Sequence, residues 1–157
     1  AIANRLAAFK MDIHYYARSK KSTADSWTYH ADPVALAHKV DFLFVALVGG
    51  EETSKFASAE VIQALGPDGI LINISRGSTV DEDALLKALE TKALRGAALD
   101  VFAGEPNINP KFLELDNVFM QPHQGSGTVE TREAMSKLQR DNLSNFFANR
   151  ALLTPVN

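Results

Sequence analysis

The chain alternates between strand-like and helix-like segments joined by short connectors, and this alternation predicts an α/β fold with a doubly wound parallel sheet. Residues 40–48 (VDFLFVALV) form a nearly continuous apolar run, which is typical of a parallel strand buried on both faces. The length of 157 residues suits one domain with a sizeable core. Open parallel sheets bind their ligands where the strands end, so we expect the functional residues at that edge.

The first elements follow from local patterns. Residues 1–9 place Ile2, Leu6 and Phe9 on one face, which predicts a helix. Residues 12–16 are predicted as a short strand, and the polar stretch 20–32 as a surface loop. Asp32 and Pro33 open a helix to about residue 37, because aspartate caps helix N-termini and proline suits the first helical position. The apolar strand 40–48 follows.

The later elements repeat the alternation. Residues 58–65 are predicted as a helix that Ser58 caps and that Gly66 and Pro67 end. Strand 70–74 precedes helix 80–89, whose first turn carries acidic residues where the helix dipole favours them. Strands 96–101 and 118–120 come next, followed by a long amphipathic helix, 128–149, and a short apolar tail, 152–157.

The composition argues against several classes of protein. The net charge of −3 is unlike that of a general nucleic-acid binder, so we expect no nucleic-acid partner. The absence of cysteine excludes disulfides and thiolate metal sites, and no other cluster of metal ligands is apparent, so we expect no bound metal. No apolar run approaches the roughly 20 residues that span a bilayer. We therefore expect no membrane partner and a cytoplasmic protein.

Three short signatures carry residues suited to chemistry: NISRGSTVDE (73–82), ALDVFAGEP (98–106) and QPHQGSGTVETR (121–132). They supply Arg76, Glu105 and His123, each at or just after the end of a predicted strand. A guanidinium grips a carboxylate in a fork, and an imidazole moves protons near neutral pH. A neighbouring carboxylate keeps that imidazole charged. These three groups are the minimum needed to reduce a 2-keto acid.

Together with ALGPDGILIN (64–73) and LLTPVN (152–157), these signatures resemble the D-isomer-specific 2-hydroxyacid dehydrogenase family over essentially the whole chain. Within that family they are most similar to the glyoxylate/hydroxypyruvate and hydroxyphenylpyruvate reductases. The resemblance implies a Rossmann-like nucleotide-binding domain. It also implies an NAD(P)-dependent oxidoreductase that reduces a small 2-keto acid to the D-2-hydroxy acid.

The resemblance assigns a role to each catalytic candidate. It implies that Arg76 binds the substrate carboxylate and ketone oxygen, that His123 is the general acid, and that Glu105 supports His123. Simpler interpretations stand beside these roles. Arg76 is also placed to be a surface arginine paired with Asp81 or Glu82, and Glu105 to be a loop acid that caps a turn.

The resemblance also implies the cofactor contacts. Asp100 matches the aspartate that binds the nicotinamide carboxamide, although a strand-end aspartate often only completes a turn. Ala46 and Leu47 begin a segment that lies along the nucleotide with Thr53 nearby, although the glycines of that segment equally suit a plain turn. The remaining cofactor contacts implied by the resemblance are Ile74 and Gly125.

The residues after the second strand of a dinucleotide fold indicate the preferred cofactor. NAD-preferring proteins carry an acid there, which binds the ribose 2′-hydroxyl. This chain has Ala17 at that position, followed by Arg18 and Ser19, which suit a 2′-phosphate, with Lys20 as a further candidate. The pattern predicts a preference for NADPH over NADH, with NAD still possible. A solvated basic turn is the alternative.

The chain departs from the family pattern at its start. It opens just after the place where the family has its first strand and glycine-rich phosphate loop. We therefore expect an incomplete sheet, split where the first strand is missing, and a piece of a longer enzyme that alone binds dinucleotide poorly. Residues 1–127 are predicted as the truncated NAD(P)-binding domain, and 128–157 as a helix and tail that return toward a substrate domain. Lys10, where the family usually has glycine, must take a left-handed conformation or end its helix differently.

Other functions remain open on the sequence alone. Some proteins of this fold sense dinucleotides as transcriptional corepressors, with a secondary dehydrogenase site. Related formate enzymes carry a glutamine in place of the acid–base pair, whereas Glu105 is present here, and phosphoglycerate enzymes often carry extra regulatory segments. The family resemblance also implies a homodimer.

Overall fold

The computed structural model describes residues 1–22 and 26–156, which form two compact units, Ala1–Pro122 and His123–Asn157. The helices are α1 (Ile2–Ala8), α2 (Pro33–Ala37), α3 (Ala59–Leu65), α4 (Glu82–Glu90) and α5 (Val129–Phe147). The strands are β1 (His14–Tyr16), β2 (Thr28–His30), β3 (Phe42–Val45), β4 (Ile70–Asn73), β5 (Gly96–Leu99) and β6 (Val118–Met120). The alternation of strands and helices confirms the predicted α/β fold.

The strands form two parallel sheets within the first unit. β1 and β2 pair in a two-stranded sheet, and β3, β4, β5 and β6 pair in that order in a four-stranded sheet. Every pairing is parallel. Among the described residues no strand joins the two sheets, which agrees with the expectation of a divided sheet.

The predicted helix ends are mostly confirmed. The Asp32 carboxylate accepts a hydrogen bond from the Ala35 amide at 2.9 Å, as predicted. Asp81, which was expected in the first turn of helix 80–89, instead caps α4 and accepts from the Ala84 amide at 3.2 Å. The predicted Ser58 cap is wrong in one respect. The Ser58 hydroxyl donates to the Glu60 carboxylate at 2.6 Å instead of accepting from a helix amide. A carboxylate two residues away competes for this hydroxyl, because its charge makes the stronger hydrogen bond.

The hydrophobic core lies where the four-stranded sheet meets α3 and α4. Fully buried side chains come from the strands, the helices and the loops that follow them, including Ile62, Leu71, Leu85, Leu89, Leu94 and Phe112. Burial of each such side chain contributes about 1.5–3 kcal/mol. This packing holds the carboxyl ends of the strands in fixed positions.

Strand β2 and the conformation of Lys10 bear on two of the sequence predictions. The stretch predicted as a surface loop, 20–32, contains strand β2, so that prediction was wrong for Thr28–His30. A strand of three residues carries too little alternation to stand out in a polar segment, and its pairing with β1 defines it. Lys10 has φ of 63°, so of the two predicted alternatives it adopts the left-handed conformation.

The second unit consists of α5 and the chain on either side of it. Thr128 caps α5 by accepting from the Thr131 amide at 3.2 Å. The Asn142 carboxamide oxygen accepts from the amides of Leu153 and Thr154, so the tail folds back along the helix. None of the described helices, α5 included, is both long and apolar enough to cross a membrane.

Candidate active site

The carboxyl ends of the strands in the larger sheet lie at one level. Val45 pairs with Asn73, Asn73 with Leu99, and Leu99 with Met120. The residues that follow each strand therefore share one edge of the first unit. This edge brings the segments that begin at Ala46, Ile74 and Asp100 next to each other.

Arg76 lies in the turn that follows β4. Its side chain is exposed, and its Nη1 donates to the Ser75 carbonyl at 2.6 Å. In the part of the chain that the structure describes, Arg76 forms no ion pair. Its two candidate partners have other contacts, since Asp81 pairs with Lys55 at 3.2 Å and Glu82 accepts from the Ala103 amide. The interpretation of Arg76 as a surface arginine held by Asp81 or Glu82 is therefore not supported.

The turn that carries Arg76 touches the loop that carries Glu105. A Cβ atom added to Gly77 would lie 2.0 Å from the Phe102 carbonyl carbon and 2.3 Å from the Ala103 nitrogen. Only glycine permits so close an approach of two backbones. In addition, the Asp100 amide donates to the Asn73 carbonyl at 3.0 Å. Arg76, Asp100 and Glu105 are thus gathered by backbone contacts.

Glu105 has a structural role in its own loop. Its Oε1 accepts from the Phe102 amide at 2.8 Å, and its peptide bond to Pro106 is cis. The alternative interpretation of Glu105 as a turn-capping acid is therefore confirmed for one of its two carboxylate oxygens, Oε1. The capped turn holds the carboxylate next to the backbone that Gly77 contacts.

The segment after β3 packs against the Arg76 turn. The Ser75 hydroxyl donates to the Leu47 carbonyl, while Ala46 is exposed and Leu47 half-buried. The Thr53 hydroxyl donates to the Val48 carbonyl at 2.6 Å. Thr53 therefore closes the turn that follows Leu47, and this contact shapes the segment predicted to lie along the nucleotide.

An ion pair joins two of the surrounding loops. Lys55 lies 3.2 Å from the Asp81 carboxylate, and the Lys55 amide donates to the Ser78 carbonyl at 2.7 Å. Burial raises the pKa of Asp81, but hydrogen bonds from the Ala84 amide and the Lys55 ammonium outweigh that effect, so the pKa lies below its usual value. Asp81 therefore stays charged and holds Lys55 against the start of α4.

Arg18 and Ser19 lie directly after β1, in the smaller sheet, and both are exposed. Two hydrogen bonds define the backbone around them. The Tyr29 hydroxyl donates to the Ala17 carbonyl at 3.1 Å, and the Lys21 amide donates to the Tyr15 hydroxyl at 2.9 Å. The predicted 2′-phosphate residues thus stand on a turn anchored to both strands of that sheet.

His123 and Gly125 belong to the second unit. His123 is the third residue after β6, and its φ of 55° places it in the left-handed region. Residues without glycine's freedom rarely adopt this conformation, and where they do the position is often functional. Both residues are exposed.

A cavity of 590 Å³ in the first unit is lined by residues of both sheets, among them Tyr15, Leu43 and Val45. Its walls include Ala46 and Leu47 but not Arg76, Asp100 or Glu105. The lining combines apolar side chains with the charged residues Asp12, Lys39 and Asp41, and the cavity is a gap between the two sheets. Among the described residues, no three histidine or acidic side chains are grouped so that they could hold a metal ion.

Sequence reasoning gave no role to several residues that shape the site. Asn73 and Thr79 are buried polar residues that contact the Arg76 backbone, and Gly77 permits the contact between loops. The available signal was a polar residue at the end of an otherwise apolar strand, followed by a second one six residues later. Such a signal alone does not tell which backbone group the side chains reach.

Comparison with known proteins places these observations in context. Residues 1–125 match the family model described as D-isomer specific 2-hydroxyacid dehydrogenase, NAD binding domain. The chain is 47% identical over 156 residues to the 2-ketogluconate reductase of Gluconobacter oxydans, covering 99% of the chain and 50% of that protein. It is 48% identical over 156 residues to the hydroxyphenylpyruvate reductase of Plectranthus scutellarioides, with the same coverage.

Solved structures agree with these similarities. The NADPH-dependent glyoxylate/hydroxypyruvate reductase of Sinorhizobium meliloti, in complex with NADP and malonate, superposes with a TM-score of 0.95 at 46% identity. The match covers 99% of this chain and 48% of that one. The chain thus spans about half the length of the relatives it matches.

Proposed function

Because the chain belongs to the D-isomer specific 2-hydroxyacid dehydrogenase family, we propose that it acts in the NADPH-dependent reduction of a small 2-keto acid to the D-2-hydroxy acid. The observation that carries the proposal is the backbone contact at Gly77, which gathers the Arg76 turn and the Glu105 loop. Relatives named as 2-ketogluconate and glyoxylate/hydroxypyruvate reductases support 2-keto acids as the substrate class.

Each candidate residue has a task that matches its chemistry. Arg76 binds the substrate carboxylate and polarises the ketone oxygen, since an exposed guanidinium without an ion-pair partner in the described chain is ready for an anion. His123 donates the proton to the ketone oxygen. Glu105 favours the protonated imidazole and so keeps the acid loaded. A bound nicotinamide dinucleotide supplies the hydride.

The residues present suit the phosphorylated cofactor. Position 17 carries alanine and not an acidic residue, whose charge would repel a 2′-phosphate. Arg18 and Ser19 follow on the turn that Tyr29 anchors. We assign the 2′-phosphate to Arg18 and Ser19. Ala46, Leu47, Thr53, Ile74, Asp100 and Gly125 are proposed as further cofactor contacts.

The test is an absorbance assay at the nicotinamide band on the natural polypeptide that carries this sequence. Glyoxylate, hydroxypyruvate and 2-ketogluconate are each offered with NADPH and with NADH. We expect faster oxidation of NADPH with at least one of these acids. Oxidation of neither cofactor would contradict the proposal, and dinucleotide binding without turnover would favour the dinucleotide-sensing alternative.

A matched pair of arginines sharpens this test. Arg76 follows the carboxyl end of β4, whereas Arg95, which is also exposed, precedes β5 at the opposite edge of the same sheet. Arg76→Ala should lower kcat/KM for the keto acid by roughly a hundredfold or more, the equivalent of two charge-assisted hydrogen bonds. Arg95→Ala should leave kcat/KM within about twofold. Equal effects of the two changes would contradict the assignment.

We also propose that the protein is a homodimer that acts in the cytoplasm without a nucleic-acid partner. The family resemblance supports the dimer. The lack of cysteine supports the cytoplasmic location, and the net charge of −3 supports the absence of a nucleic-acid partner. Light scattering coupled to size exclusion tests the dimer directly. A mass of one chain at micromolar concentration would contradict it.

A further inference from the structure

Two buried polar side chains converge on the peptide carbonyl of Arg76. The Asn73 carboxamide donates to it at 3.0 Å and the Thr79 hydroxyl at 2.6 Å, and these side chains are 1% and 0% exposed. We propose that Asn73 and Thr79 are positioning residues that direct the Arg76 guanidinium toward the substrate carboxylate. The identity of that carboxylate rests on the proposed function, whereas the positioning itself does not.

Asn73 links this carbonyl to the neighbouring strand. Its Oδ1 accepts from the Ser75 amide at 3.0 Å, so the carboxamide spans the turn from Ser75 to Arg76. Its backbone carbonyl accepts from the Asp100 amide at 3.0 Å. A buried carboxamide is costly unless its donors and acceptors are used. Asn73 therefore fixes the start of the Arg76 turn relative to the end of β5.

Thr79 fixes the same carbonyl from the other side of the turn. Both its hydroxyl and its amide donate to the Arg76 carbonyl, at 2.6 and 3.1 Å. The Arg76 peptide is thus held by the residues three positions before and three positions after it. This arrangement leaves the direction of the Arg76 Cα–Cβ bond little freedom.

The stem of the Arg76 side chain is restricted as well. A Cβ atom added to Gly49 would lie 2.7 Å from Arg76 Cγ, so the stem lies directly against the bare Gly49 backbone. The Ser75 hydroxyl ties the same two segments together through the Leu47 carbonyl. With backbone and stem both restricted, the guanidinium, whose Nη1 donates to the Ser75 carbonyl at 2.6 Å, starts from a defined position before any anion arrives. Aim matters because a displacement of about 1 Å can cost a hundredfold in rate.

A matched pair of variants separates positioning from mere stability. Thr79→Val has nearly the same shape as threonine but lacks the donor, whereas Thr79→Ser keeps the donor and loses a methyl group. Thr91→Val is the control, because the Thr91 hydroxyl donates to a carbonyl at a similar distance, 2.8 Å, on the exposed end of α4. Loss of a methyl group destabilises Thr79→Ser without releasing the carbonyl.

The first readout needs no substrate. The side-chain Nε–H signal of Arg76, assigned by its loss in Arg76→Lys, reports the order of the guanidinium by ¹⁵N NMR. We expect the wild type, Thr79→Ser and Thr91→Val to share one position and line width. Thr79→Val should shift or broaden the signal. An unchanged signal in Thr79→Val overturns the proposal even if the protein reduces no keto acid.

The second readout is kinetic. Thr79→Val should raise KM for the keto acid by about three- to tenfold, the equivalent of one neutral hydrogen bond, and leave the Kd for the dinucleotide within about twofold. Thr79→Ser should restore KM. A rise in KM and Kd together, shared by Thr79→Ser, would show general destabilisation and overturn the positioning role.

Discussion

The contact at Gly77 gives the sharpest test of how this site is built. A Cβ atom there would lie 2.0 Å from the Phe102 carbonyl carbon, 2.2 Å from its oxygen and 2.3 Å from the Ala103 nitrogen. Non-bonded carbon atoms prefer about 3.5 Å, so Gly77→Ala requires the two backbones to part by about 1.5 Å. Overpacking costs up to about 3 kcal/mol, and contact with backbone on both sides places this change at that end of the range.

The assay is thermal unfolding followed by circular dichroism. For a protein of this size about 3 kcal/mol lowers Tm by about 6–12 °C. Gly66→Ala is the control, because Gly66 has open space around its Cβ position but a φ of 78°. With ψ of −179°, that variant carries only backbone strain, about 1–3 kcal/mol, and should lose about 2–12 °C.

The comparison has a clear point of failure. If Gly77→Ala keeps the Tm of the wild type, the two loops separate without cost and the contact does not hold the site together. Separation should also move the Arg76 turn away from the Glu105 loop. We therefore expect Gly77→Ala to weaken keto-acid turnover at temperatures where it remains folded, whereas Gly66→Ala keeps the turnover of the wild type.

Arg18→Ala should raise KM for NADPH by about ten- to a hundredfold, the equivalent of a charge-assisted hydrogen bond, and leave KM for NADH within about twofold. His123→Ala should lower kcat by about 10²–10⁴-fold through loss of the general acid, whereas His38→Ala, at the exposed end of α2, should not. The pKa of Asp81 is depressed in the fold, so its contribution to the free energy of unfolding is present above about pH 4 and lost as pH falls through the folded pKa.

Each of these predictions has its own control and its own contrary result. Cofactor kinetics of Arg95→Ala control for the loss of any arginine, and equal rises of KM for NADPH and NADH in Arg18→Ala would remove the 2′-phosphate assignment. Full turnover in His123→Ala would refute its role as the acid. Urea unfolding between pH 7 and pH 3 should show a smaller loss of stability in Asp81→Asn than in the wild type. Identical pH profiles would show that Asp81 does not contribute.

Local sequence determined much of this fold. The apolar run 40–48 marked strand β3, but the strand covers only Phe42–Val45 and Phe42 is 44% exposed, so the expected burial of both faces is wrong there. Asp32 was identified as a helix cap, and Asp81 was predicted close to the start of a helix. Both signals are local, because the carboxylate of a capping aspartate accepts from a backbone amide only two or three residues further along the chain. Strand β6 was predicted with the bounds that the structure shows. The family signatures named Arg76, Glu105 and His123 as candidates, and their roles remain proposals.

The tertiary structure decided what depends on distant partners. Strand β2 exists because it pairs with β1, since its own three residues carry no strong pattern. The buried side chains of Asn73 and Thr79 acquire meaning only once the turn brings both to one carbonyl. The sequence indicates no role for Gly77, but packing against Phe102, 25 positions along the chain, makes glycine necessary there. Short-range patterns fix helices and strands because their forces act between near neighbours, whereas the aim of Arg76 is set by contacts that form only when the sheet assembles.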